Sequence, residues 1–404
     1  MERIKRVKVN ISGTNIISSL GFTTEENFRA VKSGISGIKH YDAGTFDLPE
    51  AFVASLIDKE RLNDCFLDTR QFTDLEKACV LSIVNANFQA NIDLSSEKTI
   101  FILSTTKGNV NFLGQRPETR HCGLAPQPSL RAGRSQSPVY LWHTAKIISR
   151  FFGNPNTPLV VSNACISGAA AQVAALRELS DGLYDNVVVT GADFLSKFII
   201  SGFQSFKALS PELCKPFDKD RCGLNLGEAA ATIIFQTQDI KHKTQDGAVS
   251  LVAGAIRNDA THISAPSRTG EGCYRALNHV LKNLESEHLG SCVSFINAHG
   301  TATAYNDAME VFAIARAGLA DVPVNSLKAF FGHTLGAAGV LESIISMQAL
   351  QENLVLKSLN FKEQNFENQI NISKENHFSD KKYFIKLLSG FGGLNAALLF
   401  EIKR

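Results

Sequence analysis

Apolar residues along this chain recur with two periods. Continuous, largely β-branched runs such as KTIFILSTT (98–106), PLVV (158–161) and NVVVTGAD (186–193) predict strands covered on both faces. Between them, apolar positions three and four apart predict helices: EENFRAVKS (25–33), DLEKACVLSIVNANFQA (74–90) with Asp74 at the N-cap, and SPVYLWHTAKIISRFFG (137–153). KVNISGTNII (8–17) reads as an opening strand. Residues 41–73 show neither period, and Lys107 to Pro138, rich in Gly, Pro, Arg and Gln, reads as an excursion over the surface.

The strand–helix–strand sequence around residues 159–193 is the βαβ pattern of a parallel sheet. After the polar stretch QDIKHKTQD (238–246) the pattern starts again. It runs through strand VSLVAGAIR, strand SFINAHG, helix NDAMEVFAIARAG, strand PVNS and a helix LGAAGVLESIISMQAL. Both SGAAAQVAAL (167–176) and LGAAGVLESI (335–344) open on tiny residues, which suits two helices packed closely against each other. Two similar halves are expected, 1–246 and 247–404, closed by two strands around a glycine turn in YFIKLLSGFGGLNAALLFEI.

Composition narrows the function classes. With 41 Lys and Arg against 39 Asp and Glu the formal charge is +2, so no global field favours nucleic acid or an anionic membrane. Eight cysteines are scattered with no C-x-x-C pair or zinc-type spacing, as in a reducing cytoplasm. The N-terminal stretch has no apolar core of a signal peptide, and no run approaches the ~18 apolar residues of a membrane span. Neither a cofactor nor a metal is called for.

Four strand ends carry chemistry: Cys165 in SNACISGAAA, His299 in NAHGTAT, Lys328 and His333 in NSLKAFFGHTLGAAG, and Phe391 in SGFGGLN. Ligands of open α/β sheets gather at such ends. Cys165 stands at a predicted helix N-terminus, where unpaired N–H groups and the macrodipole favour a thiolate.

In this order and with these flanks, together with VNISGTNIISSLG, KALSPELCKPFDKDRCGLNLGEAAA and NAHGTATAYNDAME, the chain resembles the β-ketoacyl-acyl carrier protein synthases of the thiolase superfamily. One cysteine with two histidines points to their elongating branch. The resemblance implies an α/β thiolase fold of five layers, αβαβα, built from two similar βαβ-containing halves. It also implies decarboxylative condensation of an acyl-Cys intermediate with malonyl-acyl carrier protein, in fatty-acid or specialised polyene or polyketide synthesis.

Carried over by residue, Cys165 takes the acyl chain as a thioester, and His299 and His333 donate to the malonyl thioester carbonyl. The backbone N–H groups of Cys165 and Phe391 form the oxyanion hole. Lys328 orients the site and Glu310 pairs with it, while Ser389 and Phe391 form the substrate gate. Lys207 matches a position where relatives carry a basic residue for docking the acyl carrier protein, a rim that Arg131 and Arg134 would extend. A homodimer or a ketosynthase heterodimer is implied as well.

The chain departs from the family pattern at Ser389, where relatives carry Phe, at Leu394, where they carry Thr, in GEAAA, and in STTKGNV (104–110). Ser389, and Lys107 and Asn109 directed into the pocket, would favour unsaturated, aryl or oxygenated acyl chains. The rival reading is the non-catalytic chain-length-determining subunit of a heterodimer; such partners typically lose the nucleophile, so Cys165, His299 and His333 together argue against it.

Overall fold

The computed structural model of the chain describes residues 8–65, 72–113, 139–237, 246–284 and 290–404. Ten strands in chain order build the main sheet: β1 (Val9–Ser18), β2 (Thr99–Ser104), β3 (Leu159–Val161), β4 (Asn186–Asp193), β5 (Ala229–Thr237), β6 (Val249–Asn258), β7 (Val293–Asn297), β8 (Val324–Asn325), β9 (Tyr383–Gly390) and β10 (Leu394–Ile402). Their spatial order is β8-β7-β9-β10-β6-β1-β5-β4-β2-β3. Each set of five thus has the same order, third, second, fourth, fifth, first. In each, the second strand is parallel to the third and fourth, and the remaining pairs are antiparallel. Among the described residues the two sets meet where Val9 pairs with Leu251 and Asn10 with Ser250.

Among the helices that flank or separate them are α1 (Asp74–Ala90), α2 (Leu141–Phe151), α3 (Ser167–Ser180), α4 (Lys197–Ser205), α5 (Glu271–Leu281), α6 (Ala304–Arg316) and α7 (Ala338–Gln351), and the expected N-terminal helix is present as Thr24–Lys32. Helices α1 and α2 cover the outer face of the first set, and α5 lies on that of the second with α6 packed against it. Helices α3 and α7 touch strands of both sets and each other, so they form the middle of five layers, αβαβα. That is the architecture expected from the sequence. Helix α7 is buried on almost every face, as its near-continuous apolar run requires.

Element positions follow the sequence patterns closely, with some corrections. Helix α1 has the expected bounds, but its N-cap is Thr73. The Thr73 hydroxyl accepts from Glu76 N while the Glu76 carboxylate accepts from Thr73 N, a reciprocal pair that Asp74 cannot make from inside the first turn. In 41–73 the structure places Phe52–Ser55, which joins Lys39–Tyr41 and Leu226–Gly227 in a small sheet. Residues 258–292, unassigned from the sequence, contain α5. Of the stretches read as surface excursion and central divide, 114–138 and 238–245 lie outside the described residues, Arg131 and Arg134 included. Among the described residues no helix is long and apolar enough to cross a membrane.

The central helices meet through glycine. A Cβ on Gly339 would sit 2.4 Å from Ala169 N, and one on Gly168 would sit 2.9 Å from both Gly336 O and Val340 N, so no side chain fits at this crossing. The buried Gln172 amide bridges the pair, donating to Gly168 O at 3.2 Å and Gly339 O at 2.9 Å. Gly339→Ala should therefore lower stability by about 1–3 kcal/mol, because overpacking against backbone outweighs a helix-propensity gain of about 1 kcal/mol. Gly202→Ala in α4, which meets nothing within 4 Å, should keep that gain. Denaturant midpoints check the pair, and a Gly339→Ala protein as stable as wild type would contradict the contact.

Candidate active site

The nucleophile turn is built by strain and one hydroxyl. After β3 the chain passes through Ala164 at φ 48°, a left-handed conformation unusual for alanine, and enters α3. Ser167 Oγ holds the turn, donating to Ala164 O at 2.6 Å and accepting from Asn163 N at 2.7 Å. Cys165 ends up 8 % exposed at the floor of a cavity of about 450 Å³.

The same cavity is lined by His299, His333, Ser389 and Phe391. His299 follows β7 and His333 precedes α7, so the first half supplies the thiol and the second both imidazoles. The two rings lie 5.0 Å apart at 82°. Ligand atoms of Cys165, His299 and His333 all lie within 4.8 Å of one another. Nδ1 of His299 and both ring nitrogens of His333 are buried with no hydrogen-bond partner among the described residues, which leaves them able to meet a ligand.

His333 is held by backbone. Its N donates to Asn225 O at 2.7 Å and its O accepts from Gly227 N. Gly332, at φ 68°, lets Leu226 O approach within 2.4 Å of where a Cβ would stand. Phe391 sits on the turn between β9 and β10, 38 % exposed at the cavity mouth, with its backbone N–H directed at Cys165. Its ring stacks against Phe203 at 6.1 Å and meets Phe206 at a tilt, 5.4 Å between centroids. Lys207 follows α4 on the same rim, exposed and at φ 53°.

Burial dominates the electrostatics. It pushes the Cys165 thiol up to about 11, against the opposing pull of Lys328, Lys107 and the Phe391 N–H. The bias toward thiolate expected from the helix terminus is opposed here, because desolvation of the charged sulfur outweighs the favourable neighbours. Burial also holds both histidines well below their usual range. Lys328, His333 and Lys386 add to this at His299, as do Lys328 and Lys386 at His333. Both imidazoles are neutral and retain one donor each.

The expected pair between Lys328 and Glu310 is not formed. Lys328 Nζ pairs instead with Glu342 Oε1, from the first turns of α7. Glu310 turns to the backbone, accepting from His299 N and Gly300 N at 2.7 Å each. The reason is reach: α6 lies behind the His299 turn, where two unpaired N–H groups satisfy both carboxylate oxygens, and α7 runs past Lys328. Sequence reasoning missed Glu342 and Lys386, although each is a lone charge in an otherwise apolar helix or strand, GVLESII and YFIKLLS. It also missed Asp193, whose carboxylate accepts from Thr105 Oγ1, Thr106 N and Gly336 N and so ties the loop after β2 to the start of α7.

The expectation that Lys107 and Asn109 enter the pocket is also corrected. Asn109 is buried but donates to Glu76 Oε1 and Thr144 Oγ1 on the outer helices, and Lys107 is exposed and outside the cavity lining. Ser389 does line the cavity, with its hydroxyl donating to Asn395 Oδ1 at 2.9 Å. The Cys165, His299 and His333 set has the donor chemistry of a zinc site, but two ammonium groups close beneath it oppose a dication.

This geometry has counterparts among known proteins. Family models described as β-ketoacyl synthase, N-terminal domain, and β-ketoacyl synthase, C-terminal domain, match residues 110–239 and 249–362, together more than half of the chain. A 3-oxoacyl-[acyl-carrier-protein] synthase 2 from Vibrio cholerae is 28 % identical, over 98 % of this chain and 99 % of its own. The ishigamide ketosynthase/chain length factor superposes with a TM-score of 0.85 at 23 % identity, covering 99 % of this chain and 100 % of that one. A β-ketoacyl synthase from Burkholderia phymatum gives 0.84 at 24 % identity, covering 98 % and 100 %. With both halves matched and the thiolase fold in place, the chain belongs to the β-ketoacyl synthase family of condensing enzymes.

Proposed function

We propose that the chain is a β-ketoacyl-[acyl carrier protein] synthase in which residues 1–246 provide the nucleophile and 247–404 the two histidines. The observation that carries this is the set of unpartnered imidazole nitrogens beside a buried thiol in one cavity. In the first half-reaction Cys165 Sγ attacks the acyl thioester carbonyl, and the thiol proton leaves with the carrier-protein thiol. The N–H groups of Cys165 and Phe391 receive the oxyanion.

In the second, malonyl carrier protein places its thioester carbonyl against His299 and His333. Loss of carbon dioxide leaves its bonding electrons in an enolate, whose oxygen the neutral imidazoles stabilise by hydrogen bonds. The enolate carbon attacks the acyl-Cys carbonyl, and collapse of the tetrahedral intermediate returns sulfur to Cys165. Lys328, paired with Glu342 beneath the histidines, adds positive potential where the enolate charge develops. The thiol and both imidazoles favour this reading over the non-catalytic chain-length subunit. The carrier protein and a second ketosynthase-like chain are its partners, and Lys207 on the cavity rim is suited to an acidic carrier. Ser389 and Phe391 form the gate.

Cys165→Ala should abolish condensation with the fold intact, and intact-mass analysis with acyl carrier proteins should show the wild-type adduct and none on the variant. His299→Ala and His333→Ala should each cut malonyl decarboxylation about 10²–10³-fold while still acylating Cys165. A variant that releases carbon dioxide at the wild-type rate removes that histidine from the mechanism.

Because burial raises the thiol to about 11, alkylation of Cys165 by iodoacetamide should rise with pH across the neutral and mildly alkaline range, about tenfold per pH unit. A rate flat over that range would mean that the thiolate is already formed. Lys207→Glu should raise the apparent KM for acyl carrier protein, most at low ionic strength, and leave turnover of a short acyl-pantetheine thioester unchanged. A KM indifferent to salt and to the substitution would place docking elsewhere.

A further inference from the structure

Lys386 is buried completely on β9, in register with Asn297 of the parallel neighbour β7. Its Nζ stands 2.5 Å from Glu342 Oε2, so a single carboxylate carries two ammonium groups, Lys328 on one oxygen and Lys386 on the other. The same Nζ reaches Asn297 O at 3.4 Å and Ala298 O at 3.3 Å, the two carbonyls directly before His299. Glu310 holds the amides of His299 and Gly300 from the other side, and Ser326 Oγ donates to Gly300 O at 2.8 Å.

We infer that Lys386 is a positioning residue for the decarboxylation step: a cation on two carbonyls and an anion on two amides clamp the peptide that carries His299. Lys328 and Lys386 share Glu342, and Lys386 also favours the buried carboxylate of Glu310, which burial and the neighbouring Asp307 disfavour. The arrangement has a second effect. Groups facing Lys386 or its partners are Glu342 on α7, Lys328 beside it, Glu310 and Asp307 on α6, the protonated Cys273 thiol on α5, and the two histidines. In that setting an extra ammonium opposes protonation of either imidazole, so both remain neutral donors as pH falls.

The inference rests on the decarboxylation proposed above, and the experiment separates the two. Carbon dioxide release from malonyl carrier protein, acylation of Cys165 and the pH profile of release are measured for wild type, Lys386→Met and Lys386→Gln. Lys386→Met removes charge and donor together. It should lower release ~10–100-fold and leave acylation within about threefold, because only the His299 peptide loses its anchor.

The sign of the pH effect follows from the charge. Release needs neutral imidazole and fails as pH falls through its pKa; without one nearby cation that pKa rises, so the acid limb moves to higher pH. Lys386→Gln keeps a donor for the carbonyls. It should recover part of the rate yet retain the raised acid limb, and it decides the matter if the Met variant does not fold. A folded Gln variant with wild-type release and acid limb overturns the role of Lys386. A wild-type protein that releases no carbon dioxide removes the functional reading, and this inference with it.

Discussion

The contact on which the site depends is the crossing of α3 and α7, where Gly168 and Gly339 allow backbone to touch backbone. Cys165 lies just before α3, and His333 precedes the turn Leu335–Ala337 that leads into α7, so drawing the two N-termini together brings thiol and imidazole into one cavity. A single methyl group in that seam would separate elements from both halves of the chain. Each half supplies part of the site and neither supplies all of it: Cys165 comes from the first, and His299 and His333 come from the second.

Dryness is the second constraint. Burial raises the cost of a thiolate at Cys165 and of imidazolium at both histidines, so the resting site is neutral where the chemistry occurs and charged one layer below. Those lower charges are tolerable only because they pair. Lys328 and Lys386 share Glu342, and Glu310 spends its carboxylate on peptide N–H groups. Preorganised dipoles in such an interior stabilise an enolate or a tetrahedral oxyanion far better than water does, without reorganising during the reaction.

The aromatic mouth is the mobile-chemistry counterpart of this fixed interior. Phe391 stacks on Phe203 and leans on the exposed Phe206, while its own backbone N–H faces Cys165. In the proposed reaction, movement of that ring would couple admission of an acyl chain to the position of an oxyanion donor. Ser389, tied to Asn395 by its hydroxyl, leaves this turn with less ring volume than a second phenylalanine would.

Local patterns alone were enough for the strands and for most helices, because period and turn chemistry are written in neighbouring residues, whereas Cys165, His299, His333 and Phe391 stood out as a set only through the family resemblance. The repeat of small residues in SGAAAQ and LGAAGV even carried the central packing. Partner choice among buried charges was not legible in this way. Glu310, which shares α6 with Asp307, and Glu342, the one acid of α7, lie 18 and 14 residues from Lys328 in sequence, and nothing in their flanks says which reaches the ammonium. Only the folded chain decided it, by setting α6 behind the His299 turn and α7 alongside Lys328 and Lys386. The direction of the Cys165 titration was likewise hidden, since the favourable helix terminus is a local property and the desolvation that overrides it is produced by the whole surrounding fold.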